Sequence, residues 1–178
     1  MRSTMKKETV AKWDRRYFGL ARRISYWSKD PKAKVGAVLL DRRGWPIALG
    51  YNGFPAGVED DIEKLEDSEL KNQMIVHAEQ NALLCAGSGA RGGTLYIFGK
   101  SVCPRCAVLI IQAGVKRVLG IQPAPHANPN SDTHKGGLIS LAMFEEADIE
   151  FVPLHPDILK AKKKHSTRQN KKARTSRI

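Results

Sequence analysis

Ile75-Val76-His77-Ala78-Glu79-Gln80-Asn81-Ala82, answered by Cys103-Pro104-Arg105-Cys106, is the part of this 178-residue chain that decides its fold. His77, Cys103 and Cys106 are soft or borderline ligands, a set that suits one zinc ion. Three protein ligands leave a tetrahedral corner open for water, whose pKa the metal lowers toward neutrality. Glu79 reads as a proton carrier and not as a fourth ligand. The small, apolar run 77–86 predicts a helix, and 103–113 a second. Both N-termini then point at the ion, where their free N–H groups favour thiolate. At i and i+2 of one turn, His77 and Glu79 diverge by about 200°, so one binds metal while the other faces a neighbouring pocket. The remaining cysteine, Cys85, reads as a small apolar core residue on the first of these helices.

Working outward, the chain is long enough for one domain with its own core. It has no run of 18 apolar residues, which predicts no membrane span. Met1-Arg2-Ser3-Thr4-Met5-Lys6-Lys7 leads into a polar helix and not into an apolar leader. Three cysteines, two of them in the metal motif, fit a reducing cytoplasm. Of the formal charge of +12, residues 160–178 supply nine Lys or Arg and no acid, leaving +3 for the rest. The expected division is therefore a domain over 1–155 and a basic, disordered tail over 156–178. Nucleic acid is expected as a partner only through that tail.

Residues 9–29 predict an amphipathic helix with Val10, Trp13, Tyr17, Leu20, Ile24 and Trp27 on its inner face. Segments 35–40 and 47–51 predict a hairpin. The loop 52–57 falls at a strand end, where open sheets bind ligands. The acidic stretch 59–69 reads as a solvated flap, with a minor option of carboxylates holding a hydrated Mg²⁺ brought by a nucleotide. Strands are expected at 94–98, 115–121 and 149–152, and a last helix at 138–147. Gly114 is placed to close the second metal helix. His126, His134, His155 and His165 are expected in solvent-exposed loops or the tail. The order predicts an α/β fold: a three-layer α-β-α sandwich around a mixed five-stranded sheet, with helix-connected strands parallel.

The motif pair H-x-E…C-x-x-C belongs to zinc deaminases. With Ser28-Lys29-Asp30-Pro31, Lys34-Val35-Gly36-Ala37-Val38, Gly50-Tyr51-Asn52-Gly53-Phe54-Pro55, Thr94-Leu95-Tyr96-Ile97 and Ile110-Ile111-Gln112-Ala113-Gly114-Val115-Lys116, the chain resembles the deoxycytidylate deaminases of the cytidine deaminase superfamily over residues 12–154. One departure is that the family has Pro before the first Cys. Here Val102 stands there and Pro104 follows, at a first-turn position that tolerates it.

The resemblance implies a cytidine deaminase-like fold and hydrolytic deamination of dCMP to dUMP and ammonia, supplying the dTMP precursor. Glu79 would carry protons to N3 and to the departing amine. Asn52, Ala78 and Lys29 would contact substrate. The resemblance further implies activation by dCTP with Mg²⁺ and inhibition by dTTP near Gly50, Tyr51, Asn52 and Gly53, and a homo-oligomer, hexamer or dimer. A rival from another class is a nucleic-acid-editing deaminase recruited through the tail.

Overall fold

The computed structural model describes residues 2–123 and 131–159. Its first element is helix α1 (Arg2–Ser25), followed by strands β1 (Gly36–Leu40) and β2 (Pro46–Tyr51). Two short helices, α2 (Ile62–Glu66) and α3 (Ser68–Met74), lead to α4 (Ala78–Ala86). Then come β3 (Thr94–Phe98), α5 (Pro104–Gln112), β4 (Arg117–Gly120), α6 (Asp132–Glu146) and β5 (Glu150–Pro153). A 3₁₀ turn at Pro156–Leu159 ends the described chain.

The sheet order is β2-β1-β3-β4-β5. β1 is antiparallel to both β2 and β3, while β3, β4 and β5 are parallel. The helix-connected neighbours are therefore parallel, as the crossover rule requires. Alternation along β1 divides the core in two. Ala37 and Leu39 pack with α4, α5 and α6. Val38 and Leu40 pack with Phe18 and Ala21 of α1. The result is the expected mixed five-stranded sheet between two helical layers. No helix among the described residues is long and apolar enough to cross a membrane.

Several expectations need correcting. Helix α1 begins earlier than residue 9 and ends at Ser25, and its inner face is rotated. Phe18, Ala21 and Ile24 are buried, whereas Trp13, Leu20 and Trp27 are exposed. The cause is backbone contact: a Cβ on Gly36 would lie 2.1 Å from the Ala21 carbonyl oxygen. At that separation Ala and Phe fit at the crossing, and indole rings do not. The acidic stretch 59–69 is largely solvated, as expected, but forms two short helices and not a flap. Asp61 caps α2 by accepting from Glu63 N, and Asp67 caps α3 by accepting from Glu69 N and Leu70 N. Cys85 is exposed, because α4 meets the sheet through Ala78, Ala82 and Leu83.

Helix α6 also starts before residue 138, capped by Ser131, so His134 is helical and half-buried. His155 is exposed beside Asp157. His126, His165 and the tail from residue 160 lie outside the described residues, and residues 156–159 pack back on α1 through Ile158 and Leu159.

One buried polar cluster ties α1 to the sheet. Asp14 accepts from the Tyr96 hydroxyl at 2.7 Å and from Arg117 Nη1 and Nη2 at 2.9 and 3.1 Å. Burial and the Asp14 carboxylate together push the Tyr96 phenol well above its usual range. Asp14→Ala should cost about 3 kcal/mol, because it leaves the Tyr96 hydroxyl and Arg117 Nη1 and Nη2 without their acceptor, Nε alone staying on Glu150. Tyr96→Phe, which removes one hydrogen bond, should cost about 1 kcal/mol. Urea unfolding of both variants checks the order; equal losses would contradict the pairing.

Candidate active site

Two helix starts carry the candidate ligands. His77 is the N-cap of α4 and Cys103 the N-cap of α5, both with extended backbone, and Cys106 is the third residue of α5. Pro104 occupies the first helical position, where its missing N–H costs nothing. Gln80 reaches back to accept from His77 N at 2.9 Å, fixing the entry to α4. Gly53 and Val76 exchange backbone hydrogen bonds at 3.1 and 2.9 Å, and Asn81 Nδ2 donates to the Tyr51 carbonyl at 2.8 Å. A Cβ on Gly50 would lie 2.1 Å from the Ala78 carbonyl oxygen. The segment 50–53 thus clamps α4 and the residue before His77 against the sheet.

His77 Nδ1 lies 3.2 Å from Cys106 Sγ and 3.5 Å from Cys103 Sγ. All three ligand atoms fall within 4.8 Å of one another. A tetrahedral zinc with bonds of about 2.0 to 2.3 Å sets its ligand atoms ~3.6 Å apart. The triangle and its donor chemistry therefore fit a zinc ion.

The electrostatics set the two thiols apart. The Cys103 thiol is held down to about 4, chiefly by its hydrogen bond with Cys106 and then by His77, against the opposing effect of burial. Cys106 is pushed up by that same pairing and by burial. His77 is raised, mainly by its hydrogen bond to Cys103. Glu79 is 4 % exposed and lies against Cys106. Burial pushes its carboxyl above the usual range, opposed by its own backbone N–H and by His77. A carboxyl so placed takes up and releases a proton nearer neutral pH than a solvated one.

His77, Ala78, Glu79 and Cys103 line a cavity of about 890 Å³, within the usual range for a small-molecule site. One wall is a buried ion pair, Lys71 Nζ to Asp30 Oδ1 at 3.0 Å. Burial raises the Asp30 carboxyl, but N–H donation from Lys32, Lys71 and Ala33 outweighs it and leaves it below the usual range. Asn52 is part of this wall. Its Oδ1 accepts from Val35 N at 2.8 Å, and its Nδ2 donates to the Ala33 carbonyl at 2.8 Å and toward Asp30 at 3.4 Å. Its amide is thus fixed in orientation.

Lys29 is not brought into the cavity. It is exposed and paired with Asp60 at 2.9 Å. Gly50 is buried, Tyr51 is exposed with its ring edge against Trp27, and Gly53 is half-buried. Asp60, Asp61 and Asp67 of the acidic stretch are occupied by that ion pair and by capping.

Sequence reasoning missed Lys100 and Arg105, exposed cations on the cavity lining near Cys103. Arg105 had a signal, its place between the two cysteines. Lys100 had none among 30 Lys and Arg.

Residues 11–121 match the family described as "Cytidine and deoxycytidylate deaminase zinc-binding region". An uncharacterized deaminase from the luxG 3′ region of Aliivibrio fischeri is 34% identical over 153 residues, 85% of this chain and 99% of its own length. Human deoxycytidylate deaminase is 32% identical over 130 residues, 70% of this chain and 72% of its own. Among solved structures, the apo dCMP deaminase of cyanophage S-TIM5 superposes with a TM-score of 0.60 at 25% identity, covering 80% of this chain and 98% of that one.

Proposed function

The chain belongs to the cytidine and deoxycytidylate deaminase zinc-binding family, and on that premise we propose that it converts dCMP and water to dUMP and ammonia. The observation that carries the proposal is the buried Glu79 carboxyl beside the His77–Cys103–Cys106 triangle, inside a cavity of nucleotide size. Likeness to deoxycytidylate deaminases supports dCMP as the substrate.

His77 Nδ1, Cys103 Sγ and Cys106 Sγ would hold zinc, whose Lewis acidity makes water nucleophilic at neutral pH. Glu79 takes the proton of the attacking water and gives it to N3 as the C4–O bond forms. It then takes the proton of the new C4 hydroxyl and passes it to the amine; the C4–N bond breaks, the C4 carbonyl forms and ammonia leaves. The cavity holds the ring against Ala78, whose methyl leaves room for a flat base. Asn52, on the cavity lining, is the residue we assign to the sugar.

Arg105 and Lys100 are the cations we assign to the 5′-phosphate. Arg105→Ala should raise KM for dCMP about tenfold with little change in kcat, and leave deoxycytidine turnover alone. Steady-state kinetics on both substrates checks this; equal losses on both would remove the assignment.

Regulation by dCTP, with Mg²⁺, and by dTTP is proposed at Gly50, Tyr51, Asn52 and Gly53. Its support is mechanical: this segment clamps the residues around His77. Sigmoidal dCMP kinetics should become hyperbolic with dCTP. Hyperbolic kinetics indifferent to both triphosphates would dispose of the idea. A homo-oligomer is also proposed, supported by exposed Ile47, Leu49 and Tyr51 on the edge strand β2, and light scattering would reveal it.

The deciding experiment is ammonia release from dCMP, CMP, dCTP, deoxycytidine and single-stranded DNA. Fastest turnover on dCMP is expected. Faster turnover on the DNA would replace this proposal with the editing one.

A further inference from the structure

Helix α3 meets the rest of the domain through a charge. Its buried residue is Lys71, while the neighbouring Leu70 faces solvent. Lys71 is 5 % exposed and its partner Asp30 2 %. A buried ion pair gains little stability over apolar side chains of the same volume. Stability alone therefore does not account for a lysine here, and neither group moves a proton in the deamination.

What the pair holds is written in its hydrogen bonds. Asp30 Oδ1 accepts from Lys71 Nζ at 3.0 Å, from Lys32 N at 2.8 Å and from Ala33 N at 3.1 Å. These bonds fix the turn 30–33. Against that turn, Asn52 Nδ2 gives its hydrogens to the Ala33 carbonyl at 2.8 Å and toward Asp30 Oδ2 at 3.4 Å. Asn52 Oδ1 takes the Val35 N–H at 2.8 Å. A backbone N–H can only donate and a carbonyl can only accept, so this amide has one orientation. Its donors are spent, while its oxygen has used one of two lone pairs. Asp30, Lys71 and Asn52 line the same cavity as His77 and Glu79.

An acceptor with no hydrogen to spare takes a hydroxyl and not an ether or ester oxygen. The sugar of dCMP has one hydroxyl, at C3′, since C5′ carries the phosphate. We propose that Lys71 is a positioning residue: through Asp30 and the turn 30–33 it locks Asn52 as an acceptor, and the wall so built selects a nucleotide with a free 3′-hydroxyl over one whose 3′-oxygen is esterified. The inference rests on the assignment of Asn52 to the sugar. A nucleotide inside a strand has no hydrogen on its 3′-oxygen and brings a second negative charge toward Asp30, so the same wall disfavours it.

The test is ammonia release by the zinc-loaded full chain from dCMP, from its 2′,3′-dideoxy analogue and from its 3′-O-methyl ether. Loss of the hydroxyl should raise KM about tenfold and leave kcat within about twofold. The ether should do no better, because it sets oxygen against oxygen. Lys71→Met should raise KM for dCMP about tenfold and leave the analogues unchanged, so that the preference disappears. A lysine that only held the fold together would slow all three substrates alike. Thermal unfolding checks that the variant is folded. If the stranded Asp30 charge unfolds it, Lys71→Met with Asp30→Asn removes that charge and should lose the preference in the same way.

A wild type that turns over all three substrates equally would overturn the proposal, as would a folded variant that keeps the wild-type preference. Calorimetric titration with dUMP and its 2′,3′-dideoxy analogue reads the hydroxyl without any chemistry. Tighter binding of dUMP with no ammonia from any substrate supports the wall and removes the proposed reaction. Equal binding of the two, or none, with ammonia released from dCMP removes the wall and keeps the reaction.

Discussion

Glu79→Gln should keep one zinc per chain and lose dCMP turnover by about 10³- to 10⁴-fold. Gln matches Glu in shape and sits at the same second position of α4, so the metal triangle is untouched. What it lacks is the ability to take and return a proton. In the proposed mechanism both transfers pass through this carboxyl, so kcat and kcat/KM should fall together while KM stays near its wild-type value. The substitution also removes a carboxyl whose ionised form is disfavoured by burial, so the unfolding temperature should not drop. Metal analysis, thermal unfolding and ammonia release on one preparation separate the cases. A zinc-loaded, folded Gln variant retaining a tenth of wild-type turnover would remove Glu79 from the chemistry. His77→Ala is the contrast: it should lose the metal and the activity together.

Why Glu79 and the His77–Cys103–Cys106 cluster could be picked out as neighbours without coordinates is a matter of periodicity. Helix N-termini impose local geometry, so His77 with Glu79, and Cys103 with Cys106, are set by one turn each. The sheet was legible for a similar reason, since buried strands and a hairpin carry patterns that survive in the sequence. The cavity wall was not. α2 and α3 have five and seven residues, too few to show a 3.6-residue period, and their acidic composition looks like a solvated loop. The caps Asp61 and Asp67 were the available signal. The Asp30–Lys71 pair joins residues 41 apart and has no local signature at all.

Helix α1 shows a different failure. Its apolar residues do recur at helical spacing, and the largest of them, Trp13 and Trp27, are the wrong ones, while Ile24 is buried as expected. Trp13 and Trp27 face solvent because small residues govern how closely a helix approaches a sheet, and Gly36 with Ala21 sets that approach here. A rotation of about 100° per residue turns the indoles outward. The mismatch between apparent amphipathicity and actual burial is what left rings and guanidinium groups together on the outside.

Gly50→Ala tests the other side of that rule, and its expected effect is large. The new Cβ would lie 2.1 Å from the Ala78 carbonyl oxygen and 2.7 Å from Ala82 N. Both are helix backbone, so no side chain can swing aside. Reaching ordinary contact at 3.4 Å or more requires α4 to move more than 1 Å from β2. Overpacking of this kind costs about 1 to 3 kcal/mol. His77 and Glu79 travel with α4, while Cys103 and Cys106 stay with α5. A misplacement of ~1 Å between them should weaken zinc binding and cut kcat/KM about 10²-fold. Gly19→Ala is the control, since its Cβ meets only Leu159 at 3.5 Å, and it should be neutral or slightly stabilising. The measurement also separates two roles for Gly50. If it is an effector contact, the Ala variant keeps its basal rate and zinc but loses the response to dCTP. If it is the point where β2 and α4 touch, basal rate, zinc affinity and unfolding temperature fall together, whatever triphosphate is present.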